Sequence, residues 1–219
     1  DLLFVSHVAP AACVVLAVAL ERYPIVSGLL LGGGAAMLFW PAFLIPLWLG
    51  YFGSRGLKPL LKSGLAVAAV GCTTLAALWL YTEPIDGRGP LAVFLNSTWG
   101  HQEGGGPYSH SGFGLWGQWI SRQPDRAEAI NDIKLAVRLG YFVLCLLPVL
   151  FAFRGRPMQL KTLIALSAVL ALGLQFWKTH GGGLYSGWYL PLVVVTLFAP
   201  ANAAHVTDQD SSLGGAMTD

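Results

Sequence analysis

The chain has 219 residues, of which 55% are hydrophobic and 11% are charged, and its formal net charge is +2 at pH 7. Soluble domains contain about 25% charged residues, so this composition, with a mean hydropathy of +0.61, argues against a water-soluble protein and indicates a membrane protein. The small net charge and the scattered basic residues give no indication of a nucleic-acid partner. The lipid bilayer is therefore the first expected partner.

Long apolar runs predict membrane-spanning helices, because about 20 helical residues cross a bilayer. The alternating pattern of membrane β-strands is absent from the sequence. The predicted fold class is therefore all-α, a polytopic transmembrane helical bundle of about six segments with one large extracytoplasmic loop. The predicted segments are approximately residues 4–20, 25–51, 61–81, 137–153, 160–177 and 184–199.

The second of these segments, residues 25–51, is too long for one simple crossing and contains Pro41 and Pro46. Proline removes a backbone donor and kinks or breaks a helix. Two structures are compatible with this pattern. One is a long kinked helix, and the other is a pair of short half-helices hinged at Trp40, which places Arg22 on the same side as Arg55. The sequence does not choose between them.

Lysine and arginine predict which side each loop faces. Two short loops carry three basic residues each and no acid, and the positive-inside rule places such loops in the cytoplasm. The outer loop, about residues 82–136, and the turn 178–186 then lie together on the extracytoplasmic side. The basic residues are Arg55, Lys58 and Lys62 in the first loop and Arg154, Arg156 and Lys161 in the second.

The ends of the chain suggest its domain organisation. Residues 1–204 are expected to form one transmembrane helical domain, and residues 205–219 a disordered cytoplasmic tail. The chain begins at Asp1 and enters an apolar segment at once, without a charged leader or a cleavage site. We therefore expect it to be a fragment of a larger domain. Its cysteines lie in apolar runs without metal or redox spacing, which predicts small buried side chains at Cys13, Cys72 and Cys145.

The outer loop holds most of the candidate chemistry. A glycine-rich stretch within it carries a carboxylate and two imidazoles, from His101, Glu103 and His110. These groups suffice for a general base or a metal-assisted phosphate site. Their spacing matches no specific metal motif, so no metal and no cofactor is assigned, although a divalent metal is compatible. The alternative is an interfacial loop that is polar and aromatic for anchoring alone.

The second half of the loop adds groups that suit a sugar or an isoprenoid chain. Tyr108 and Ser109 supply hydroxyls, Trp116 supplies a flat aromatic face, and the glycines between them let the backbone approach a ligand. The alternative is that these glycines only form turns. Residues 124–134 begin with a proline and carry apolar side chains at helical spacing, which predicts an amphipathic helix on the membrane surface.

Lys178 and His180 follow the fifth segment and precede a run of glycines. A cation, an imidazole and flexible backbone suit an anionic phosphate. The alternative is a snorkelling lysine in an ordinary turn. The predicted substrate-binding residues of the chain are His101, Glu103, Tyr108, Ser109, His110, Trp116, Lys178 and His180.

Three stretches resemble the C-terminal half of GT-C glycosyltransferases, membrane enzymes that take a sugar from a polyprenyl-phosphate donor. Residues 28–46 are similar to a run in the mannosyltransferases of that superfamily and in related bacterial polyprenyl-phosphate-hexose enzymes, in which a Gly/Ala helix leads into Lys, an aromatic residue and Pro. Leu38 occupies the Lys position here. Residues 108–116 resemble the Ser- and aromatic-bearing segment after the family's large outer loop. Residues 183–191 are similar to its late Tyr, Trp-Tyr, Leu-Pro helix entry.

The resemblance implies a hexosyltransferase of the bacterial plasma membrane that uses a polyprenyl-phosphate sugar donor on the extracytoplasmic face. The family's catalytic acids lie in a first outer loop that this sequence lacks, so no catalytic residue is carried over and the piece alone is expected to be inactive. Lys178 and His180 would stabilise the leaving phosphate. A second hypothesis is a non-catalytic polytopic membrane subunit whose outer loop docks a partner.

Overall fold

A computed structural model of the chain describes residues 2–81, 89–95, 115–153, 155–177 and 186–198. Within these ranges the chain forms helices and short turns, with no β-strand, which confirms the all-α class. The α-helices are α1 (Leu2–Ala19), α2 (Pro24–Met37), α3 (Ile45–Ser54), α4 (Leu57–Tyr81), α5 (Pro90–Leu95), α6 (Leu115–Arg122), α7 (Ala127–Leu146), α8 (Leu160–Trp177) and α9 (Ser186–Phe198).

Helices α2 and α3 form a hairpin around a short 3-10 segment, Trp40–Leu44, which we call the hinge turn. Pro41 lies at the start of the hinge turn and Pro46 at the start of α3. Proline is tolerated at these positions because the first N–H groups of a helix have no acceptor within the helix. Arg55 Nη1 donates to Glu21 Oε2 at 2.7 Å, so the chain enters and leaves the hairpin at the same place. The half-helix alternative is therefore the correct one, and residues 25–51 are not a single crossing.

The two lysine- and arginine-rich loops lie at one end of the bundle, which we call the basic end. The backbone N–H of Met158, before α8, donates to Ser54 Oγ at 2.9 Å, at the end of α3. Helices α1, α3, α7 and α9 run toward the basic end, and α2, α4 and α8 run away from it. The chain order thus agrees with the prediction that both basic loops share one side.

A single hydrophobic core lies between α1, the hairpin, α8 and α9, with one face of α7 against it. Its largest fully buried side chains are aromatic, and they come from the hinge turn, α3 and α9. Close backbone contact accompanies them, because a Cβ added at Gly50 of α3 would overlap the carbonyl oxygen of Pro148 in the 3-10 segment that follows α7. The aromatic core residues are Trp40, Trp48, Tyr51, Phe52 and Trp188.

Helix α4 is attached differently, through small residues along one narrow stripe. A Cβ added at Gly28 of α2 would lie 2.6 Å from the carbonyl oxygen of Ser63, and one added at Gly32 would lie 3.0 Å from Val70 Cβ. This spacing brings two backbones together as small-xxx-small pairs do in membrane helices. The buried residues of α4 are Ser63 and Ala66, and neither belongs to the hydrophobic core.

Within the described ranges, two helices are long and apolar enough to cross a membrane: Leu57–Tyr81, which is α4, and Pro124–Phe153, which contains α7. Only 11% of the first and 17% of the second is buried inside the protein over the apolar window, so both helices leave most of this apolar surface uncovered. Four further apolar helices are shorter, and they are Val8–Ala19, Pro24–Met37, Leu160–Leu174 and Ser186–Phe198.

The region of the predicted outer loop, residues 82–136, contains helices where it is described. Helix α6 forms because Trp116, Trp119 and Ile120 recur at helical spacing. The predicted surface helix at residues 124–134 is helical, but α7 continues from it without a break into the apolar segment. The prediction of a separate surface helix before the apolar segment was therefore wrong, because residues 127–146 form one continuous helix. Residues 205–219, the predicted tail, lie outside the described ranges.

Candidate functional site

Most of the predicted substrate-binding residues lie outside the described ranges. Trp116 is described, whereas the other seven fall in the gaps at residues 96–114 and 178–185. Their predicted roles stay predictions. The residues in the gaps are His101, Glu103, Tyr108, Ser109, His110, Lys178 and His180.

Trp116 is buried on α6, and its ring stacks on that of Trp119 with centroids 6.0 Å apart and an angle of 19° between the planes. Helix α6 packs against α7. One face of the Trp116 ring is therefore covered, and Trp119 is the more exposed member of the pair. Contact between Trp116 and a ligand stays a prediction. A ligand would reach the ring of Trp119 first, because it is the more exposed of the two.

Several helix ends that border undescribed residues lie at the end of the bundle opposite the basic end. Helix α4 runs parallel to α2 and finishes at Tyr81. Helix α6 precedes α7, which starts at this end and runs to the basic end. Helix α8 finishes at Trp177 and α9 begins at Ser186. The chain segments that carry the candidate polar groups thus leave and enter the bundle at one end.

A layer of aromatic rings lies on this side of the core, beyond the outward end of α2. The Trp40 and Trp188 rings are stacked, with centroids 5.5 Å apart and 12° between the planes. Phe39 meets Trp188 edge-on at 6.4 Å. Phe43 contacts Phe142 of α7 at 5.7 Å. These contacts fix the hinge turn between α7 and α9, since offset and edge-to-face aromatic pairs contribute beyond their buried area.

Four buried side-chain groups have no hydrogen-bond partner among the described residues. They are the indole N–H groups of Trp40 and Trp48 and the hydroxyls of Ser63 on α4 and Ser167 on α8. A buried polar group without a partner costs about 1–3 kcal/mol. By contrast, Tyr141 Oη donates to the carbonyl oxygen of Leu170 at 2.8 Å and joins α7 to α8.

A polar network at the basic end was not predicted from the sequence. Glu21 Oε2 accepts from Tyr51 Oη and from Arg55 Nη1, each at 2.7 Å. The Arg55 guanidinium also lies 4.1 Å from the centre of the Tyr51 ring. Ser54 Oγ donates to the Tyr51 carbonyl at 2.7 Å and accepts from Met158. One available signal was that Glu21 is the sole carboxylate between Asp1 and Glu83.

This network holds parts of the fold together rather than forming a reaction site. The Glu21 side chain is 12% exposed, and Tyr51 and Arg55 share one of its oxygens. The network connects the turn after α1, the end of α3 and the segment before α8. A charged pair with these additional hydrogen bonds is the form in which a partly buried ion pair is tolerated.

No metal centre is formed by the described residues, which contain no group of three or more His, Cys, Asp or Glu side chains that could hold an ion. The candidate ligands His101, Glu103 and His110 lie outside those ranges. Of the cysteines, Cys145 is buried and Cys13 half-buried, whereas Cys72 is exposed on α4. The prediction that Cys72 is buried within the protein was wrong, because α4 buries only its narrow stripe.

No protein-family model, curated protein or solved structure matches this chain. The resemblance to GT-C glycosyltransferases therefore rests on the three stretches of sequence named above.

Proposed function

We propose that the chain is a multi-pass integral membrane protein whose basic end faces the cytoplasm. The support is the exposed apolar surface of α4 and α7, which would be costly in water, at about 25 cal/mol per Å² of apolar area. The position of the two basic loops at one end of the bundle also supports it, since such loops stay in the cytoplasm. The shorter helices and the hairpin would then lie within the bilayer beside α4 and α7.

We propose further that the opposite end carries a site for hexose transfer from a polyprenyl-phosphate donor. The observation that carries this proposal is the position of three helix ends next to undescribed residues: Tyr81, where α4 ends, and Trp177 and Ser186, where α8 ends and α9 begins. All three lie at the end opposite the basic end. In the sequence, the segments with imidazole, carboxylate, hydroxyl and ammonium groups follow the helix ends at Tyr81 and Trp177.

In this proposal each group has a distinct role. His101, Glu103, Ser109 and His110 line a cavity that binds the sugar, and Trp119 with Trp116 contacts the sugar ring or the isoprenoid chain. Lys178 and His180 balance the charge that develops on the leaving phosphate, which is most effective where water is excluded. The acid or base of the reaction belongs to another part of the protein, as the resemblance implies.

The membrane part of the proposal is tested by thiol labelling at Cys72. The protein is prepared with Cys13→Ala and Cys145→Ala, so that Cys72 is its remaining thiol, and treated with a charged maleimide in permeabilised membrane vesicles. We expect no labelling until detergent is added, because a thiol facing lipid does not form the reactive thiolate. A cysteine-free protein with Lys58→Cys at the basic end should label at once. Labelling of Cys72 at the same rate as that control would contradict the proposal.

The transfer part is tested with membranes that contain the full-length protein and a radiolabelled polyprenyl-phosphate hexose. Wild type is compared with His101→Ala and His180→Ala at matched protein level, and His205→Ala in the polar tail is the matched control. Loss of transfer by about a hundredfold in either variant, with the control unchanged, is the expected result for groups that act on the transition state. Unchanged transfer in both variants would contradict the roles given to these histidines.

A non-catalytic membrane subunit is the second candidate. The exposed apolar faces of α4 and α7 favour it, because another membrane subunit can cover such faces as well as lipid does. Absence of transfer by wild type across several hexose donors would favour this candidate. Co-purification of one protein at a fixed ratio, lost when Leu65 and Leu75 on α4 are both changed to Ala, would then identify the docking surface.

A further inference from the structure

A cavity at the basic end is not explained by the proposed transfer site. It is a shallow pocket, open to the surroundings, with a volume of about 400 Å³. It lies between the 3-10 segment after α7 and the first turn of α8. The lining residues are Phe151, Arg156, Pro157, Met158, Gln159 and Thr162.

The lining divides into an apolar part and a polar part. Phe151, Pro157 and Met158 supply hydrocarbon surface, and Met158 is held in place by its hydrogen bond to Ser54. Arg156, Gln159 and Thr162 supply a guanidinium, an amide and a hydroxyl. Arginine presents a planar fork of N–H donors that matches the oxygen atoms of a phosphate. The lining suits a molecule with both an anionic head and an apolar portion.

The charges around the cavity also favour an anion. Among the described residues, no acidic side chain lines it and none forms an ion pair with Arg156. Glu21, the carboxylate at this end, is already engaged by Tyr51 and Arg55. The first turn of α8 borders the cavity and adds the partial positive charge of a helix N-terminus.

We infer that this cavity binds a phosphate ester, with the phosphate at Arg156, Gln159 and Thr162 and the apolar substituent against Phe151 and Met158. Two sources have this chemistry, the headgroup of an anionic lipid and a water-soluble phosphate ester. The inference does not depend on hexose transfer, because the cavity and the proposed transfer site lie at opposite ends of the bundle. Either can fail without the other.

The test measures binding to the purified full chain in micelles of an uncharged detergent. The probes are dioctanoyl phosphatidic acid, glycerol 3-phosphate and, as an uncharged comparison, dioctanoylglycerol. Binding of the first without the second identifies a lipid headgroup site, and binding of both with similar affinity identifies a site for soluble phosphate esters. Dioctanoylglycerol should not bind measurably in either case.

Three variants relate the binding to this cavity. Arg156→Gln should weaken binding of the phosphate probe about tenfold or more, through the loss of a charge-assisted hydrogen bond. Arg156→Lys should recover part of the loss, because it restores the charge without the planar fork. Lys161→Gln is the matched control, since it removes the same charge from an exposed position on α8 that does not line the cavity. Lys161→Gln should weaken binding of the phosphate probe by less than about twofold.

The inference is overturned by either of two results. One is that neither phosphate probe binds wild type, and the other is that Arg156→Gln and Lys161→Gln weaken binding equally, which would show attraction to surface charge alone. Arg156 is exposed and outside the core, so the unliganded Arg156→Gln protein should keep its melting temperature. Thr162→Val, with nearly the same side-chain shape, gives a second measurement and should weaken binding by about fivefold.

Discussion

Helices α3 and α4 are both apolar, and yet they have opposite environments in the fold. Half of the ten residues of α3 are buried, including Trp48, Tyr51 and Phe52. The 25 residues of α4 bury Ser63 and Ala66 and expose most of their large side chains. An apolar sequence therefore predicts a helix, but it does not predict whether the side chains of that helix are buried in the protein core or exposed on its surface.

The difference follows from the size of the side chains at each contact. The core packs large aromatic side chains around α3, so that its stability depends on volume and shape. Helix α4 packs through Gly28, Gly32, Ser63 and Ala66, so that its attachment depends on close backbone approach. Substitutions matched in chemistry should affect the two regions very differently.

The largest contrast is expected between two tryptophans. Trp188 is 0% exposed and stacked on Trp40, whereas Trp79 on α4 is 64% exposed. Trp188→Ala should lower the free energy of unfolding by about 3–5 kcal/mol, because the cavity it leaves cannot close. Trp79→Ala should lower it by less than about 1 kcal/mol. Both are measured by SDS titration in mixed micelles, and equal losses would remove the distinction between the core and the exposed helix α4.

The next contrast lies within the polar network of the basic end. Glu21→Gln should cost about 2–3 kcal/mol, because it leaves Arg55 without its carboxylate; the loss is below that of a fully buried pair, since Arg55 is 35% exposed. Arg22→Gln should cost less than about 0.5 kcal/mol, because Arg22 is 87% exposed and 3.9 Å from Glu21. The same unfolding titration, repeated in high salt, checks both. A Glu21→Gln protein as stable as wild type would mean that the hairpin is held by packing alone.

A comparable contrast is expected between two glycines. Gly50→Ala places a methyl group on the Pro148 carbonyl oxygen, which cannot move aside as a side chain can, and should cost about 1–3 kcal/mol. Gly71→Ala on α4 meets no atom within 4 Å and should be neutral or stabilising by up to about 1 kcal/mol, through helix propensity. Melting temperatures in detergent are sufficient to rank the two variants. A destabilised Gly71→Ala protein would indicate an additional contact on the outer face of α4.

The smallest contrast concerns two hydroxyl groups. Ser54→Ala removes the acceptor of the Met158 N–H and should cost about 1 kcal/mol. Thr73→Ala on α4 removes only a bond to the Ala69 carbonyl within its own helix, and its cost should be less than about 0.5 kcal/mol. Hydrogen exchange at the Met158 amide gives a direct readout for the first. Unchanged protection of that amide in Ser54→Ala would show that the bond does not hold the segment before α8.

Much of the fold could be predicted from composition and proline positions. The apolar runs marked α1, α4, α8 and α9 to within a few residues, because a helix must satisfy its own backbone where water is scarce. The segment predicted at residues 137–153 overlaps only the second half of α7, which begins at Ala127 and ends at Leu146. The half-helices of the hairpin were one of two alternatives, since Pro41 and Pro46 mark a break without giving its angle. The contact between Glu21, before the hairpin, and Arg55, after it, showed that the chain turns back fully.

The candidate site was less predictable. Residue types identified polar groups in the outer loop and at Lys178 and His180, but types alone do not measure distances. Trp116 shows the limit, because the same aromatic side chain can offer its face to a ligand or stack on a neighbour, as it does on Trp119. The cavity beside Arg156 was not anticipated, since its lining comes from both sides of a connection that the sequence identified only by its charge.

The sequence by itself determined the all-α class, the approximate helix positions and the presence of two basic loops, because hydropathy, proline and charge act locally along the chain. The tertiary structure alone decided that the hairpin returns to the basic end, that α3 is buried while α4 is exposed, and that Glu21 joins Tyr51 and Arg55. These features depend on contacts between residues 30 or more positions apart, and such contacts are selected by the packing of whole helices rather than by local pattern.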